Sequence, residues 1–290
     1  MRIIFLFLAL LVNVNAKLTV AVSYPYIASL TQSIGGDNVR VETLAQGNWD
    51  PHFVIPRPSL ITKVRDADLL ITNGADLEIG WLPPLLNRAA NERLNQKSNL
   101  LELSKKVTLI DVPSDISRAG GDVHSEGNPH FHLDPRNIPL LADAVTIFLS
   151  QKDPSHATQY RQNLTLFKQQ WSIHLKRWEN QMAALRGEEI IQYHPVFNYF
   201  LRTYGLKTIG TIEPLAGIPP SSAHTMKLIT LMKEKKPYMI MHDVYHPTKT
   251  GEFIADKSGV KLVLLPHDVG ATSRADNLVS LFDTLIQAMR

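Results

Sequence analysis

The sequence predicts an α/β protein of two lobes, each with a roughly four-stranded, mainly parallel sheet, joined by one long rigid helix. Two observations carry this expectation. Short runs rich in β-branched residues alternate with helical patterns on both sides of the middle of the chain, which is how a parallel sheet with crossover helices reads in sequence. Between those blocks, Pro154 to Leu185 forms one unbroken helical pattern. Its apolar residues Tyr160, Leu164, Phe167, Trp171, Leu175, Trp178, Met182 and Leu185 are spaced by alternating threes and fours, a single stripe along a helix.

Taken in order, the chain opens with Met1-Arg2, an apolar run from Ile3 to Val12, and Val14-Asn15-Ala16. That run is too short to span a bilayer, so residues 1–16 read as a secretory signal cleaved near Ala16. The chain is then expected to be exported and periplasmic. It contains no cysteine, hence neither a disulfide framework nor a lipid-anchor site. Lys plus Arg total 30 against 27 for Asp plus Glu, with no long run of either sign, so charge argues neither for nor against a nucleic-acid or membrane partner, and no nucleic acid is expected among the partners. The roughly 270 residues that follow suit two domains.

In the first lobe, 17–153, the expected strands are Leu18–Val22, Val39–Leu44, Leu69–Thr72 and Val107–Ile110. The expected helices are Pro25–Ile34, Pro58–Asp66, Leu77–Asn87 and Pro135–Ser150. The linking helix, 154–185, has Asp153 as N-cap, Pro154 at its first position and Gly187 beyond its end. At 1.5 Å per residue it runs roughly 48 Å, so it is expected to lie against both halves. A stripe containing two Trp that stops after about four heptads reads as an intramolecular strut rather than a dimerisation coil, and the protein as a monomer. In the second lobe, 186–290, the strands are Glu189–Tyr193, Thr208–Thr211, Tyr238–Met241 and Lys261–Leu265. The helices are Pro195–Tyr204, Ala223–Lys235, Thr248–Lys257 and Ala275–Met289.

Ligands of open α/β sheets bind beyond the carboxyl ends of the strands, so the loops there are where chemistry is sought. His52 sits between Pro51 and Phe53 after the second strand; a lone loop histidine is ordinarily a solvated side chain. His124, His130 and His132 fall within nine residues, between Asp122 and Asp134, a metal-type composition. His130, held by Pro129, is the best placed of them, and His124 reads as an accessory contact. His194 ends a strand just before Pro195 opens a helix, where neutral imidazole, the metal-binding form, is favoured. His242-Asp243 and His267-Asp268 reach the same rim. His156, His174 and His224 sit on helices and read as surface residues.

Asp50-Pro51-His52, then Asn128-Pro129-His130-Phe131-His132-Leu133-Asp134-Pro135, then Tyr193-His194-Pro195-Val196-Phe197-Asn198-Tyr199-Phe200, with the long helix between the second and third, resemble the metal-binding receptor proteins of ABC importers for zinc and manganese, the ZnuA and TroA group. The resemblance covers essentially the whole mature chain. It implies one metal between two lobes, bound by His52, His130, His194 and a carboxylate of the last βα loop, Asp268. It departs from the family at His132, where an aromatic is usual, so His130 and His132 compete. It also lacks the long His-rich insertion of some zinc receptors. Three imidazoles and one carboxylate suit Zn²⁺, with Mn²⁺ as the alternative because it prefers more oxygen. The implied partners are the metal ion and an ABC permease in the inner membrane; a periplasmic metallochaperone is a further candidate.

No His-Glu-x-x-His motif is present and the site fills its fourth position, so the chain reads as a receptor, not an enzyme; a secreted zinc-dependent hydrolase and an adhesin on the same scaffold are the other readings. For the fourth ligand, Asp268 precedes Val269-Gly270, whose glycine lets the backbone turn into the cleft, whereas Asp243 stays near its strand direction. Arg274 is the nearest basic residue in sequence to partner Asp268.

Overall fold

The computed structural model describes residues 17–114 and 124–290 of the chain. The expected signal segment and the Gly120-Gly121 stretch therefore lie outside the described residues. No helix among the described residues is long and apolar enough to cross a membrane.

The first lobe runs β1 (Leu18–Val22), α1 (Pro25–Gly35), β2 (Val39–Thr43), α2 (Pro58–Asp66), β3 (Leu69–Thr72), α3 (Leu82–Ala89), β4 (Leu100–Glu102) and α4 (Ile138–Lys152). After the connecting helix α5 (Ala157–Met182), the second lobe runs β5 (Glu189–Gln192), α6 (Asn198–Tyr204), β6 (Lys207–Thr211), α7 (Ser222–Lys235), β7 (Met239–Asp243), α8 (Lys249–Ser258), β8 (Leu262–Leu265) and α9 (Leu278–Ala288). The two sheets have the same order, β2-β1-β3-β4 and β6-β5-β7-β8. All their pairings are parallel. In each lobe the chain steps from the first strand to one side and then crosses to the other. The carboxyl ends of β1 and β5 therefore sit at the points where the order reverses, where such sheets bind ligands.

Local chemistry explains most element boundaries. Proline opens α1, α2, α3 and α4 within their first two positions, where its missing N–H leaves no extra orphan. Helix α9 begins at Leu278, three residues later than the sequence suggests, because Asn277 and Ser280 form a reciprocal capping box. Helix α3 also starts late. Ala75 and Asp76 adopt positive φ of 53° and 61°, and the Glu78 carboxylate accepts from the Asn73 and Gly74 amides at 2.7 and 3.0 Å. These bonds tie residues 73–78 into a turn and postpone the helix.

One expected strand is absent. Val107–Ile110 does not join the sheet, and Leu100–Glu102 takes the edge position beside β3. The backbone groups of Ile110 find other partners: its N–H donates to the Tyr199 hydroxyl at 3.0 Å and its carbonyl accepts from the Asn128 amide at 2.8 Å. The segment crosses toward the second lobe instead of extending the first.

The strut is helical from Ala157 to Met182, with short 3-10 turns at Pro154–His156 and Ala183–Leu185. Asp153 starts it through side chains rather than through amides, accepting from Tyr160 Oη at 2.6 Å and pairing with His156 Nδ1 at 2.7 Å. The apolar stripe buries Tyr160, Trp171, Trp178 and Met182. Helix α5 packs on α1 and α4 of the first lobe and on α9 of the second. Trp171 Nε1 donates to the Pro135 carbonyl at 2.7 Å and Trp178 Nε1 to the Asp283 carboxylate at 2.6 Å. Both indoles pack on Phe282 of α9. One apolar core is thereby continuous through both lobes, and a smaller one lies around Ile191, Ile212 and Ile240 of the second sheet.

Trp178 is fully buried, so Trp178→Ala leaves a large cavity and is expected to cost about 3–5 kcal/mol. Trp178→Phe, which loses mainly the Asp283 hydrogen bond, should cost only about 1–3 kcal/mol. Urea unfolding followed by circular dichroism measures both; equal losses would show that the hydrogen bond, not the packing, holds the strut.

Candidate metal centre

The ring nitrogens of His52, His130 and His194 converge at the mouth between the lobes, with one ligand atom from each within 4.8 Å of the others. Three loops bring them there. His52 follows β2, His130 follows the cross-lobe segment ending at Asp111, and His194 lies two residues beyond β5, at the point of strand-order reversal. The rings stand nearly perpendicular, at interplanar angles of 78°, 70° and 85°, with centroids 5.8, 5.6 and 5.9 Å apart. From such spacing three nitrogens can turn onto one cation at about 2.0–2.1 Å.

Two of the three imidazoles are oriented from behind by a carboxylate. His52 Nδ1 donates to Asp50 Oδ1 at 2.8 Å, and the same oxygen accepts the His52 amide at 2.9 Å. Burial works to raise the Asp50 carboxyl, but the bonds from His52 outweigh it and hold the group below its ordinary value. His194 Nδ1 lies 2.8 Å from Glu213 Oε2, and both residues are buried. With Nδ1–H given to a carboxylate, Nε2 carries the lone pair in both rings. His130 is almost fully buried and its Nε2 has no hydrogen-bond partner. Burial, and then the neighbouring His52 and His194, hold it well below the usual imidazole range, so it is neutral and able to donate its lone pair.

The backbone supports the same convergence. A Cβ at Gly47 would lie 2.0 Å from the Val269 carbonyl, so the loop carrying His52 passes flush against the second lobe and only glycine fits. A cavity of about 260 Å³ opens beside His130 and His194, lined also by His124, Asn128, Asp111 and Asn198.

The other candidates have separate places. His132 turns away from the group: its Nε2 donates to the His267 carbonyl at 2.8 Å and its ring stacks on Tyr26 at 4.3 Å. His124 lies beside His52, with the two Nε2 atoms 3.2 Å apart. Asp268 is not in the three-membered group. Its Oδ1 accepts the amides of Tyr26, in the first turn of α1, and of Val269, at 2.8 and 2.6 Å. Tyr24, at the N-cap of α1, supplies no side-chain cap, so a carboxylate from the opposite lobe does. Its partner is therefore backbone and not Arg274, which forms no ion pair with it among the described residues. Burial pushes the Asp268 carboxyl well above the usual range. Asp243 is committed to the turn after β7, accepting from the amides of Tyr245 and His246 and pairing with His246 Nδ1 at 2.9 Å.

The sequence reading missed Glu213 and His246. Glu213 Oε1 lies 3.5 Å from His246 Nε2, extending the line from His194 through Glu213 and His246 to Asp243. Burial alone would lower the His246 pKa, but Asp243, Glu213 and Asp50 together raise it. The available signal was Glu213 itself, a carboxylate two residues beyond β6 on the rim that carries His194.

Comparison with known proteins follows the same outline. The zinc-binding lipoprotein AdcA of Streptococcus pneumoniae is 21% identical over 280 residues, 95% of this chain and 56% of the relative, so the chain spans little more than half of that protein. The high-affinity zinc uptake system protein ZnuA of Paracoccus denitrificans is 24% identical over 305 residues, covering 93% of this chain and 90% of that one. Among solved structures, a zinc-bound ZnuA with residues 138–173 deleted superposes with a TM-score of 0.79 at 28% identity, covering 94% of this chain and 96% of the other. The family model for the zinc-uptake complex component A, periplasmic, matches residues 20–290, and the chain belongs to that family.

Proposed function

We propose that this chain is an exported receptor that captures Zn²⁺ between its lobes at His52, His130 and His194 and delivers it to an ABC permease of the inner membrane. One observation carries the reading: three imidazoles from three loops and both lobes converge within 4.8 Å, and His130 Nε2 is buried without a partner. An imidazole lone pair so placed needs a cation or a proton donor, and burial makes the proton unfavourable. Nitrogen-rich donors favour zinc over manganese, which prefers oxygen. All three donors come from one chain, which suits action as a monomer. The residue blocks 17–153, 154–185 and 186–290 then act as first lobe, strut and second lobe.

Asp268 is the proposed fourth ligand. Its carboxyl is buried, with two amides on one oxygen, so a cation would stabilise its ionised form. Joining the three histidines requires a movement of the loop after β8. That movement is also a signal that a permease could read.

Isothermal titration of zinc into metal-free protein tests the assignment. His52→Ala, His130→Ala and His194→Ala should each lower affinity by at least about a hundredfold, while His156→Ala and His174→Ala leave it unchanged. Wild-type protein should gain about 2.7 kcal/mol of stability at a hundredfold excess of zinc over Kd. Equal effects from the helix histidines would overturn the site, and zinc-dependent hydrolysis of ester or phosphate substrates would overturn the receptor reading.

Glu213→Gln keeps the shape of the side chain but removes the charge that holds the His194 tautomer. It is expected to weaken zinc binding about 10–100-fold without unfolding the protein. Unchanged affinity would make Glu213 a bystander.

The metal-free protein should also weaken in acid. Burial sets the pKa of His124, His132 and His267 at about 4 in the folded state, against about 6.5 for free imidazole. Between these values the unfolded chain holds more protons, so stability falls as pH drops from about 6.5 toward 4. Melting curves across this window measure the slope, and His132→Gln should flatten it; an unaltered slope would show that His132 is not among the groups responsible.

A further inference from the structure

Asn128, two residues before His130, is 9% exposed and has every polar group engaged. Its Oδ1 accepts the His130 amide at 3.0 Å. Its Nδ2 donates to the carbonyl of Pro195, the residue after His194, at 2.8 Å, and to Asp111 Oδ2 at 3.2 Å. Its amide donates to the Ile110 carbonyl at 2.8 Å, and its carbonyl accepts from the Tyr199 hydroxyl at 2.8 Å. One side chain therefore holds the backbone beside His130 with its oxygen and the backbone beside His194 with its nitrogen.

The surroundings reinforce that clasp from both lobes. Asp111 Oδ2 also accepts from Asn198 Nδ2 at 2.7 Å, and Asp111 takes a left-handed backbone, φ 54°, to reach both amides. Such backbone is uncommon for a residue other than glycine, although aspartate tolerates it better than most. The Tyr199 hydroxyl closes the ring by accepting the Ile110 amide.

We propose that Asn128 is the positioning residue that sets the separation of His130 from His194, and thereby which divalent metal the centre prefers. The inference rests on the reading that the three histidines hold a metal. The spacing and angle of the donors decide between a compact tetrahedral ion and one that needs six ligands. A clasp bonded to both ligand-bearing backbones fixes that spacing before metal arrives.

The test is Co²⁺ titration of metal-free protein, reading the d–d absorption that reports coordination geometry, together with zinc and manganese affinities and melting temperatures. Asn128→Asp keeps the acceptor for the His130 amide but loses the donor to Pro195 and faces Asp111. It should shift the cobalt bands, weaken zinc about 10–100-fold and narrow the preference for zinc over manganese. The double variant D111N/N128D restores a hydrogen bond between positions 111 and 128 while leaving the Pro195 carbonyl unserved. It should regain melting temperature but not the cobalt spectrum or the metal preference.

Recovery of all three in the double variant, or a wild-type spectrum and preference in Asn128→Asp, would overturn the proposal. If Asn128→Asp fails to fold, Tyr199→Phe removes a single hydroxyl of the clasp and should shift the spectrum and preference in the same direction; no shift would likewise overturn it. Wild-type protein that takes up no cobalt, or His130→Ala that binds as wild type does, would instead overturn the underlying metal reading.

Discussion

Three nitrogen donors on loops of two separate sheets can share one cation only if the lobes keep a fixed separation, and the rest of the fold answers to that constraint. A flexible linker would let His194 drift from His52 and His130 by more than a coordination distance. Helix α5 prevents this by burying aromatic residues against both lobes. Trp171 hydrogen-bonds to the first lobe and Trp178 to α9, and both pack on Phe282. Because the core is continuous through that contact, the lobes lose much of the independence that two domains on a hinge would have.

Around the candidate centre several hydrogen bonds reach across the cleft between the lobes. Asp268 of the second lobe caps α1 of the first. His132 donates to the His267 carbonyl, and His267 Nε2 lies 3.2 Å from the Trp49 carbonyl. Asn128 reaches Pro195. An apolar strut thus sets the overall distance between lobes, and directional hydrogen bonds set the register of the loops.

The electrostatics follow from burying His130, His132 and His267 with no carboxylate hydrogen-bonded to their rings among the described residues. Burial opposes the imidazolium of His130 and of His132 and His267 behind it, so these rings are neutral at the pH of most compartments. Carboxylates appear one step back from the centre, at Asp50 and Glu213, where they fix tautomers rather than neutralise charge. That arrangement leaves lone pairs facing inward. The His52 and His194 rings are thus held in one orientation without a bound ion, which lowers the ordering cost of any cation they share.

The sequence by itself determined the local elements and the loops that carry His52, His130 and His194. β-branched runs marked seven of the eight strands, prolines marked helix starts, the spacing of Tyr160, Trp171 and Trp178 marked the strut, and Pro51, Pro129 and Pro195 flagged the loops of His52, His130 and His194. These signals lie within a few residues of the feature they specify, so they are readable without a fold. The tertiary structure decided what depended on distant partners. It took Leu100–Glu102 rather than Val107–Ile110 as the edge strand, because Ile110 found Tyr199 and Asn128 instead. It gave Asp268 the Tyr26 amide, 242 positions away, instead of nearby Arg274. It also set Glu213 behind His194 and separated His130 from His132, which sequence spacing left as rivals. Hydrogen bonds between residues so far apart exist only after the lobes have packed, and no local pattern encodes which pairs will meet.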